Sequence, residues 1–201
     1  MIKSGEVSGA IAIEPEPNNF YLLEHNVEQN DLKNKVVCIN VALSEVDSEV
    51  EFELNENNYG DHRVRHENQV SANDSYAESE REVISVQARQ LDKLLKEVPA
   101  EVTNNISVIW IDVQGFEGYV FKGGAKLFEK NIPVVTEIWP YGIERSGFSK
   151  AEFCALVKEV WSYYWVLQNN NFIRHDIDDF ETYYEKFEGT KKYANVILSH
   201  K

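Results

Sequence analysis

Short apolar runs rich in β-branched residues recur along the chain, and segments with helical spacing separate them. Runs of this length and composition predict buried strands. They are AIAI at 10–13, VVCINVAL at 36–43, ISVIWI at 106–111 and IPVVTEI at 132–138. Apolar residues three and four positions apart predict the helices between them. The first of these helices begins at Pro17, and the second begins near Leu91. The third covers 120–128, and the fourth covers 148–160 with Ser149 as N-cap. Strands that alternate with helices indicate parallel βαβ units.

Two further pairs of segments indicate antiparallel pairing. VEFEL at 50–54 alternates strictly between apolar and acidic residues, and VISVQ at 83–87 is the expected partner. YYWVLQ at 163–168 and ANVILSH at 194–200 predict two final strands joined by an acidic, aromatic connection. The whole pattern predicts an α/β fold with a mostly parallel sheet that ends in an antiparallel strand.

The composition fits one globular domain over residues 1–201, since 43% of the residues are hydrophobic. No run approaches the ~18 consecutive apolar residues of a membrane span, and the N-terminal segment lacks the apolar centre of a signal peptide. Cys38 and Cys154 lie in apolar patterns and are expected to be reduced thiols. We therefore expect a cytoplasmic protein that does not contact a membrane.

The net charge of −14 argues against a nucleic-acid partner, which would require clustered lysine and arginine. Much of this charge lies in an acidic excursion at 45–82, which holds twelve acids and three arginines for a local charge of −9. We expect a solvated surface segment there, and a cation-binding surface is the weaker alternative.

Three acids lie at or near the ends of predicted strands: Glu14, Asp112 and Glu137. Parallel sheets bind ligands outside the carboxyl ends of their strands. Charged side chains are seldom buried unless they are paired or in use. Three such acids that converge from different strands therefore predict a functional site.

The first two strand ends offer groups that suit a nucleoside. Glu14 can accept hydrogen bonds from both hydroxyls of a ribose, or it can compensate the helix that begins at Pro17. Asn40, Val41 and Ala42 can pack against and hydrogen-bond a purine, although ordinary strand termination explains them as well.

The segment DVQGFEG at 112–118 carries the most chemistry. Gly115 allows an unusual backbone conformation between strand and helix. Asp112 and Glu117 can share a proton, hold a divalent cation or orient a substrate hydroxyl. Compensation of the helix dipole is the alternative for Glu117. Glu137 adds a third carboxylate to these two candidate catalytic residues.

Four residues are candidates for substrate contacts. Trp139 and Tyr141 follow Glu137 and would form an apolar wall. His62 and Arg63 lie in GDHRVRH at 60–66 and would bind a polar or anionic substrate group, whereas charge pairing within the chain is the stronger alternative for this segment. The sequence contains no G-x-S-x-G elbow, P-loop, paired-cysteine metal motif or H-E-x-x-H motif.

The chain resembles the FkbM-type S-adenosylmethionine-dependent methyltransferases. The matching segments are AIAIEPEPNNFYLLEHN, NVALS, GDHRV, QARQLDKLL, VIWIDVQGFEGYVFKGGAKLF and VVTEIWP. The resemblance implies a Rossmann-like class I methyltransferase fold and S-adenosylmethionine as cofactor. It also implies that Glu14 binds the ribose, that Asn40 to Ala42 lie by the adenine, and that Asp112 lies near the site of methyl transfer. Relatives mostly methylate hydroxyl groups of sugars, polyketides or other small molecules.

One part of the family pattern is missing. Such enzymes begin with a strand and a glycine-rich turn of the type D-x-G-A-N-x-G, and this sequence opens just before the second strand of the pattern. We therefore expect a truncated reading frame or fragment, in which the edges of 10–13 and 106–111 face a gap or pair with each other. The alternative function is an inactive fragment or pseudoenzyme whose acidic excursion binds a basic protein. A dinucleotide-dependent oxidoreductase ranks last because its glycine-rich fingerprint is absent.

Overall fold

The computed structural model describes residues 1–66 and 76–200, whose strands form a two-stranded, a four-stranded and a five-stranded sheet. Of the eight strand pairings among these residues, three are parallel and five are antiparallel. The sheets of this α/β fold are therefore mixed, and the prediction of a mostly parallel sheet is wrong. The Rossmann-like arrangement stays a prediction.

The two-stranded sheet opens the chain. Strand β1 (Ala10–Ile13), helix α1 (Pro17–Gln29) and strand β2 (Val36–Ile39) follow one another, and the two strands pair in parallel. The helix begins at Pro17 as predicted. Its N-cap is Glu16, whose carboxylate accepts a hydrogen bond from the backbone N–H of Asn19 at 2.6 Å.

The four-stranded sheet has a small core of its own. Its strands are β3 (Ala42–Leu43), β4 (Ser48–Glu53), β5 (Arg63–Val64) and β6 (Val83–Arg89), in the order β3–β6–β4–β5. The predicted antiparallel pairing of 50–54 with 83–87 is confirmed, with Val50 opposite Val86. Two short helices follow, α2 (Leu91–Leu94) and α3 (Ala100–Thr103).

The five-stranded sheet occupies the rest of the chain. In chain order its elements are β7 (Ile109–Ile111), α4 (Glu117–Gly123), α5 (Ala125–Phe128), β8 (Val134–Ile138), α6 (Pro140–Arg145), α7 (Lys150–Val160), β9 (Tyr163–Gln168), β10 (Asn171–Asp176), α8 (Phe180–Glu185) and β11 (Ala194–Ser199). The strand order is β10–β9–β11–β8–β7, and β7 and β8 pair in parallel. Helix α7 starts with the predicted cap, a reciprocal capping box between Ser149 and Glu152.

Aromatic side chains from the helices fill the main core against one face of this sheet. The fully or almost fully buried rings include Phe121, Phe128, Phe153, Phe180 and Tyr184. Burial of such side chains contributes about 1.5–3 kcal/mol each. No helix of the described ranges is both long and apolar enough to cross a membrane.

The structure corrects three further expectations. VVCINVAL is not one strand, because it divides at Asn40 into β2 and β3, which belong to different sheets. The connection after β9 contains the strand β10, which the sequence did not predict. The acidic excursion 45–82 contains β4 and β5 and is not simply a solvated segment, although 67–75 lies outside the described residues.

Two strand edges border a large cavity that positions the site. Among the described residues, β1 pairs only with β2 and β7 pairs only with β8. A cavity of about 1000 Å³ lies between the free edges and is lined by residues of both strands, among them Ile11 and Trp110. Trp110 is 71% exposed, although its neighbour Ile111 is buried in the core. The carboxyl ends of β1 and β7 thus open into one space.

Candidate active site

The cavity between β1 and β7 gathers five of the predicted site residues in its lining: Glu14, Val41, Ala42, His62 and Asp112. They come from three different sheets, and the sequence pattern predicted convergence for two of them, Glu14 and Asp112. The other predicted site residues are not part of this lining. They are Asn40, Arg63, Glu117, Glu137, Trp139 and Tyr141.

Glu14 is half-buried at the end of β1 and keeps one oxygen for a ligand. Its Oε1 accepts a hydrogen bond from the backbone N–H of Glu16 at 2.8 Å, and within the described chain no group bonds to Oε2. Burial raises the pKa of the Glu14 carboxyl, and the hydrogen bond from Glu16 opposes this rise. The helix-capping role proposed as an alternative for Glu14 belongs instead to Glu16.

Asn40 directly follows β2 and bonds to the segment that joins β1 to helix α1. Its Nδ2 donates to the carbonyl oxygens of Glu14 at 2.8 Å and Pro15 at 3.0 Å. These two hydrogen bonds fix the backbone that directly follows the Glu14 side chain. Val41 and Ala42 then lead into β3 and present an apolar surface to the cavity.

The turn that carries Asp112 has a forced conformation. Asp112 is exposed, and its Oδ1 accepts a hydrogen bond from Gln114 Nε2 at 2.6 Å. Gln114 and Gly115 both have positive φ, 55° and 99°. A β-carbon on Gly115 would lie 2.6 Å from the Cα of Gly142, so the turn is packed directly on helix α6.

Glu117 stabilises this turn from the protein interior by accepting hydrogen bonds from its backbone. Its side chain is fully buried, and Oε1 accepts hydrogen bonds from the backbone N–H groups of Val113 at 3.2 Å and Gly115 at 3.4 Å. Within the described residues, the buried Oε2 has no hydrogen-bond partner. Burial raises the pKa of Glu117 to about 7, against the effect of the backbone hydrogen bonds.

Glu137 lies next to Asp112 across the sheet. The paired positions of β7 and β8 end at Ile111 and Thr136, and Asp112 and Glu137 are the residues that follow them. Neighbouring strands are ~4.8 Å apart. Glu137 is only 6% exposed, yet it has no hydrogen bond or ion pair within residues 1–66 and 76–200. It is a buried carboxyl without a protein partner.

The surroundings of Glu137 favour its neutral form. Burial is the main cause that raises its pKa to about 8, and the negative charges of Glu117, Asp112 and Asp61 add to the rise. The positive charge of Arg63 acts in the opposite direction. The buried Glu117 is therefore one of the groups that favour the neutral form of Glu137.

Arg63 forms ion pairs with acids of the protein, and charge pairing within the chain was the stronger of the two interpretations of its sequence segment. It is 3% exposed, and its Nη2 lies 2.6 Å from Asp61 Oδ1, while Nε and Nη1 lie 3.5 Å from Glu53 and Glu78. Its guanidinium also lies 4.9 Å from the ring centre of Trp139. Arg63 therefore belongs to a buried cluster of ion pairs, the ionic wall, and is not an open cation.

The remaining substrate candidates differ in position. His62 Nδ1 accepts a hydrogen bond from the backbone N–H of Asn55 at 2.9 Å, and burial lowers the pKa of the ring. The hydroxyl of Tyr141 donates to Glu78 Oε1 at 2.7 Å. His62 is at the cavity, whereas Tyr141 belongs to the buried ionic wall. Substrate binding by these residues stays a prediction.

A metal site finds no support in this geometry. Over residues 1–66 and 76–200, no three histidine, cysteine, aspartate or glutamate side chains are placed to hold a metal ion. Asp112, Glu117 and Glu137 are neighbours, but their oxygens do not converge as ligands.

These observations agree with the comparison of the sequence with protein families. The model of the methyltransferase FkbM domain matches residues 2–174. The chain belongs to the FkbM methyltransferase family. The comparison with curated proteins finds no match to this sequence.

A solved FkbM structure has the same fold. The methyltransferase FkbM from Methylobacillus flagellatus KT, known from a crystal structure at 2.20 Å resolution, superposes with a TM-score of 0.53 at 12% sequence identity. The match covers 98% of this chain and 38% of the other, so this chain spans well under half the length of that protein. At this identity, the likeness concerns the fold alone.

Sequence reasoning missed the ionic wall. The side chains that surround Arg63 are Glu53, Asp61, Glu78, Arg81 and Arg145. Glu53 and Glu78 are fully buried, although each lies in an acidic stretch that suggests a solvated surface. The sequence did contain a signal for this cluster, because the two arginines of GDHRVRH lie close to several acids.

Proposed function

We propose that this chain carries the reaction centre of an S-adenosylmethionine-dependent methyltransferase that methylates a hydroxyl group of an uncharged small molecule. The observation that carries the proposal is the single cavity that joins Glu14 at the end of β1, the Val41–Ala42 segment and Asp112 at the end of β7. Membership in the FkbM methyltransferase family supports the reaction class.

The residues present suit the cofactor. Glu14 Oε2 lacks a protein partner among the described residues and would accept hydrogen bonds from the ribose hydroxyls. Val41 and Ala42 would pack against the adenine, and Asp112 would lie toward the reactive end. When bound, S-adenosylmethionine supplies a methyl group on a positively charged sulfur, which leaves with the electron pair of the broken carbon–sulfur bond as the new carbon–oxygen bond forms.

The charges around the site favour an uncharged acceptor. Asp112, Glu117, Glu137 and Asp61 lie close together, and Arg63 is already engaged with acids of the protein. An acceptor with phosphate or carboxylate groups would meet repulsion from Asp112, the acid of this group that lines the cavity. A neutral hydroxyl compound such as a sugar derivative meets no such cost.

Two structural features concern the interaction-module alternative and the expected location of the protein. Glu53, Asp61 and Glu78 of the acidic excursion point into the ionic wall and are not displayed to a basic partner, so nothing supports the interaction-module alternative. Cys38 and Cys154 are free thiols, which supports our proposal that the protein works in the cytoplasm.

The test is methyl transfer by the full polypeptide that the gene encodes. Tritiated S-adenosylmethionine would be offered with methyl glycosides and, in parallel, with the corresponding sugar phosphates. We expect label in the glycosides and at least about tenfold less in the phosphates, a difference of ~1.4 kcal/mol. Equal or preferred labelling of the phosphates would contradict the proposed acceptor class.

A further inference from the structure

Resting on the proposed methyl transfer, we infer that Glu137 and not Asp112 accepts the proton of the acceptor hydroxyl, while Glu117 is a positioning residue that holds the turn of Asp112. The three carboxylates at the ends of β7 and β8 thus have different tasks. Their burial and hydrogen bonds assign these tasks.

Glu117 has no access to a substrate. Its side chain is fully buried, and its Oε1 is occupied by the N–H groups of Val113 and Gly115. Those hydrogen bonds tie the first helical turn of α4 to the turn at 112–115. A residue that touches only the backbone of this turn acts on the reaction through the position of Asp112.

Asp112 is placed to line the cavity rather than to take a proton. It is exposed to solvent, and Oδ1 is bonded to Gln114 of the same turn. Water competes for an exposed carboxylate, which weakens its interaction with an acceptor. Asp112 is therefore suited to contact a ligand at the mouth of the site.

Glu137 combines burial with an unused carboxyl group. It is 6% exposed, follows Thr136 at the end of β8, and has no hydrogen-bond or ion-pair partner in the described ranges. Its carboxylate oxygens are not among the fully buried side-chain atoms without a hydrogen-bond partner, in contrast to Glu117 Oε2. A mostly buried glutamate whose oxygens remain accessible and unused by the protein is available to a bound substrate.

The charges that face Glu137 come from each neighbouring part of the site: Asp112 after β7, Glu117 on α4, Asp61 before β5 and Arg63 on β5. Arg63 is held by Asp61 at 2.6 Å and by the ring of Trp139, so it does not form an ion pair with Glu137. Burial and the negative charges of Glu117, Asp112 and Asp61 raise the pKa of Glu137 to about 8, and the positive charge of Arg63 opposes this rise. A base of this strength is suited to remove a proton near neutral pH.

The proton step is balanced within the chain and the acceptor. The O–H bond of the acceptor breaks, its proton passes to a carboxylate oxygen of Glu137, and its electron pair stays on the acceptor oxygen for the bond to the methyl carbon. Glu137 leaves the step neutral and returns the proton to water. Glu137 is not part of the cavity lining, but Asp112, the adjacent residue on the next strand, is, so an acceptor bound at Asp112 lies one strand spacing (~4.8 Å) from Glu137.

The first part of the test needs no acceptor. Carbon NMR of the full polypeptide with labelled glutamate side chains should show a carboxyl that titrates near pH 8, and this signal should be missing in Glu137→Gln. Calorimetry should give the same affinity for S-adenosylmethionine in both proteins. If the unaltered protein does not bind S-adenosylmethionine, the proposed function is contradicted. If Glu137→Gln still shows the carboxyl titration near pH 8, the present inference is overturned.

The second part compares the acids in methyl transfer to the methyl glycosides. We expect kcat to fall at least about 100-fold in Glu137→Gln and less than about tenfold in Asp112→Asn, since general-base catalysis contributes about 10²–10⁴-fold. In the unaltered protein, kcat should rise with pH to a plateau above about pH 8, and this rise should be absent in Glu137→Gln. A larger loss in Asp112→Asn, or an unchanged pH profile in Glu137→Gln, would overturn the inference.

Discussion

The backbones of Gly115 and Gly142 touch. A β-carbon on Gly115 would lie 2.6 Å from the Cα of Gly142 and would overlap its carbonyl group. A β-carbon on Gly142 would in turn overlap the ring of Trp139. These contacts leave no room for a side chain at either position, and they join the turn of Asp112 to helix α6.

Substitution of Gly115 tests this contact. We expect Gly115→Ala to lower the free energy of unfolding by about 2–5 kcal/mol, because left-handed strain costs about 1–2 kcal/mol and overpacking adds about 1–3 kcal/mol. Gly189→Ala is the matched control, since Gly189 has φ +66° with nothing within 4 Å. It should lose only the strain component of about 1–2 kcal/mol. Urea unfolding measures both, and equal losses would show that the contact with Gly142 is unimportant.

The buried glutamates predict a particular dependence of stability on pH. Folding raises the pKa of Glu137 to about 8 and that of Glu117 to about 7, so between about pH 4.5 and 8 the native state binds more protons than the unfolded chain. Their contribution is complete below about pH 4.5 and is lost as the pH rises through 7 to 8. The unaltered protein should therefore become less stable over this window.

The variant Glu137→Gln isolates one of the two groups. After allowance for screening by solvent, we expect it to exceed the unaltered protein by about 1–3 kcal/mol at about pH 9 and to differ little at about pH 4.5. Glu129→Gln, at an exposed glutamate, should show no such gain. Chemical unfolding at several pH values gives the answer, and parallel pH profiles of the protein and Glu137→Gln would refute a raised pKa.

We expect removal of the Arg63 side chain to lower the stability of the protein, because Arg63 has a structural role. Arg63→Ala leaves Glu53, Asp61 and Glu78 without part of their compensation, and loss of one partner of a buried pair costs about 3–5 kcal/mol. Arg174→Ala is a control, since this exposed residue lies 4.5 Å from the ring centre of Tyr163 and such contacts contribute about 0.5–1 kcal/mol. Thermal and urea unfolding would compare the two. A fully stable Arg63→Ala that loses only substrate affinity would restore the prediction of a substrate-binding arginine.

Glu117 should tolerate an amide but not a truncation. In Glu117→Gln the carbonyl oxygen can still accept the hydrogen bonds of Val113 and Gly115, whereas Glu117→Ala leaves both N–H groups and a cavity. We expect methyl transfer within about tenfold of normal in the glutamine variant and at least about 100-fold lower in the alanine variant. If both variants were equally inactive, Glu117 itself would take part in the chemistry.

Much of the site follows from local sequence rules. Strand ends are recognisable, so Glu14 and Asp112 were predicted to reach one region, and the cavity lining contains both. Ser149 was predicted as a helix cap, and in the structure its hydroxyl and Glu152 form a local capping box. Such features depend on residues that are close in sequence.

The remainder depends on distant contacts. VVCINVAL divides because Asn40 bonds to the carbonyl groups of Glu14 and Pro15, which no local pattern reveals. Glu53 is buried because Arg63, Arg81 and Arg145 reach it from separate segments. The strand β10 did have a signal, since Asn169-Asn170 with positive φ forms the two-residue turn typical of a hairpin.

The central claim is that S-adenosylmethionine binds with its ribose at Glu14. Calorimetric titration of the full polypeptide with S-adenosylmethionine tests it most directly, with Glu14→Ala as the variant and Glu24→Ala, at an exposed glutamate of helix α1, as the control. Hydrogen bonds to a charged group are worth about 1.5–3 kcal/mol, so Glu14→Ala should weaken binding about 10–100-fold while Glu24→Ala leaves it unchanged. Absence of binding, or binding that is indifferent to Glu14→Ala, would contradict the account.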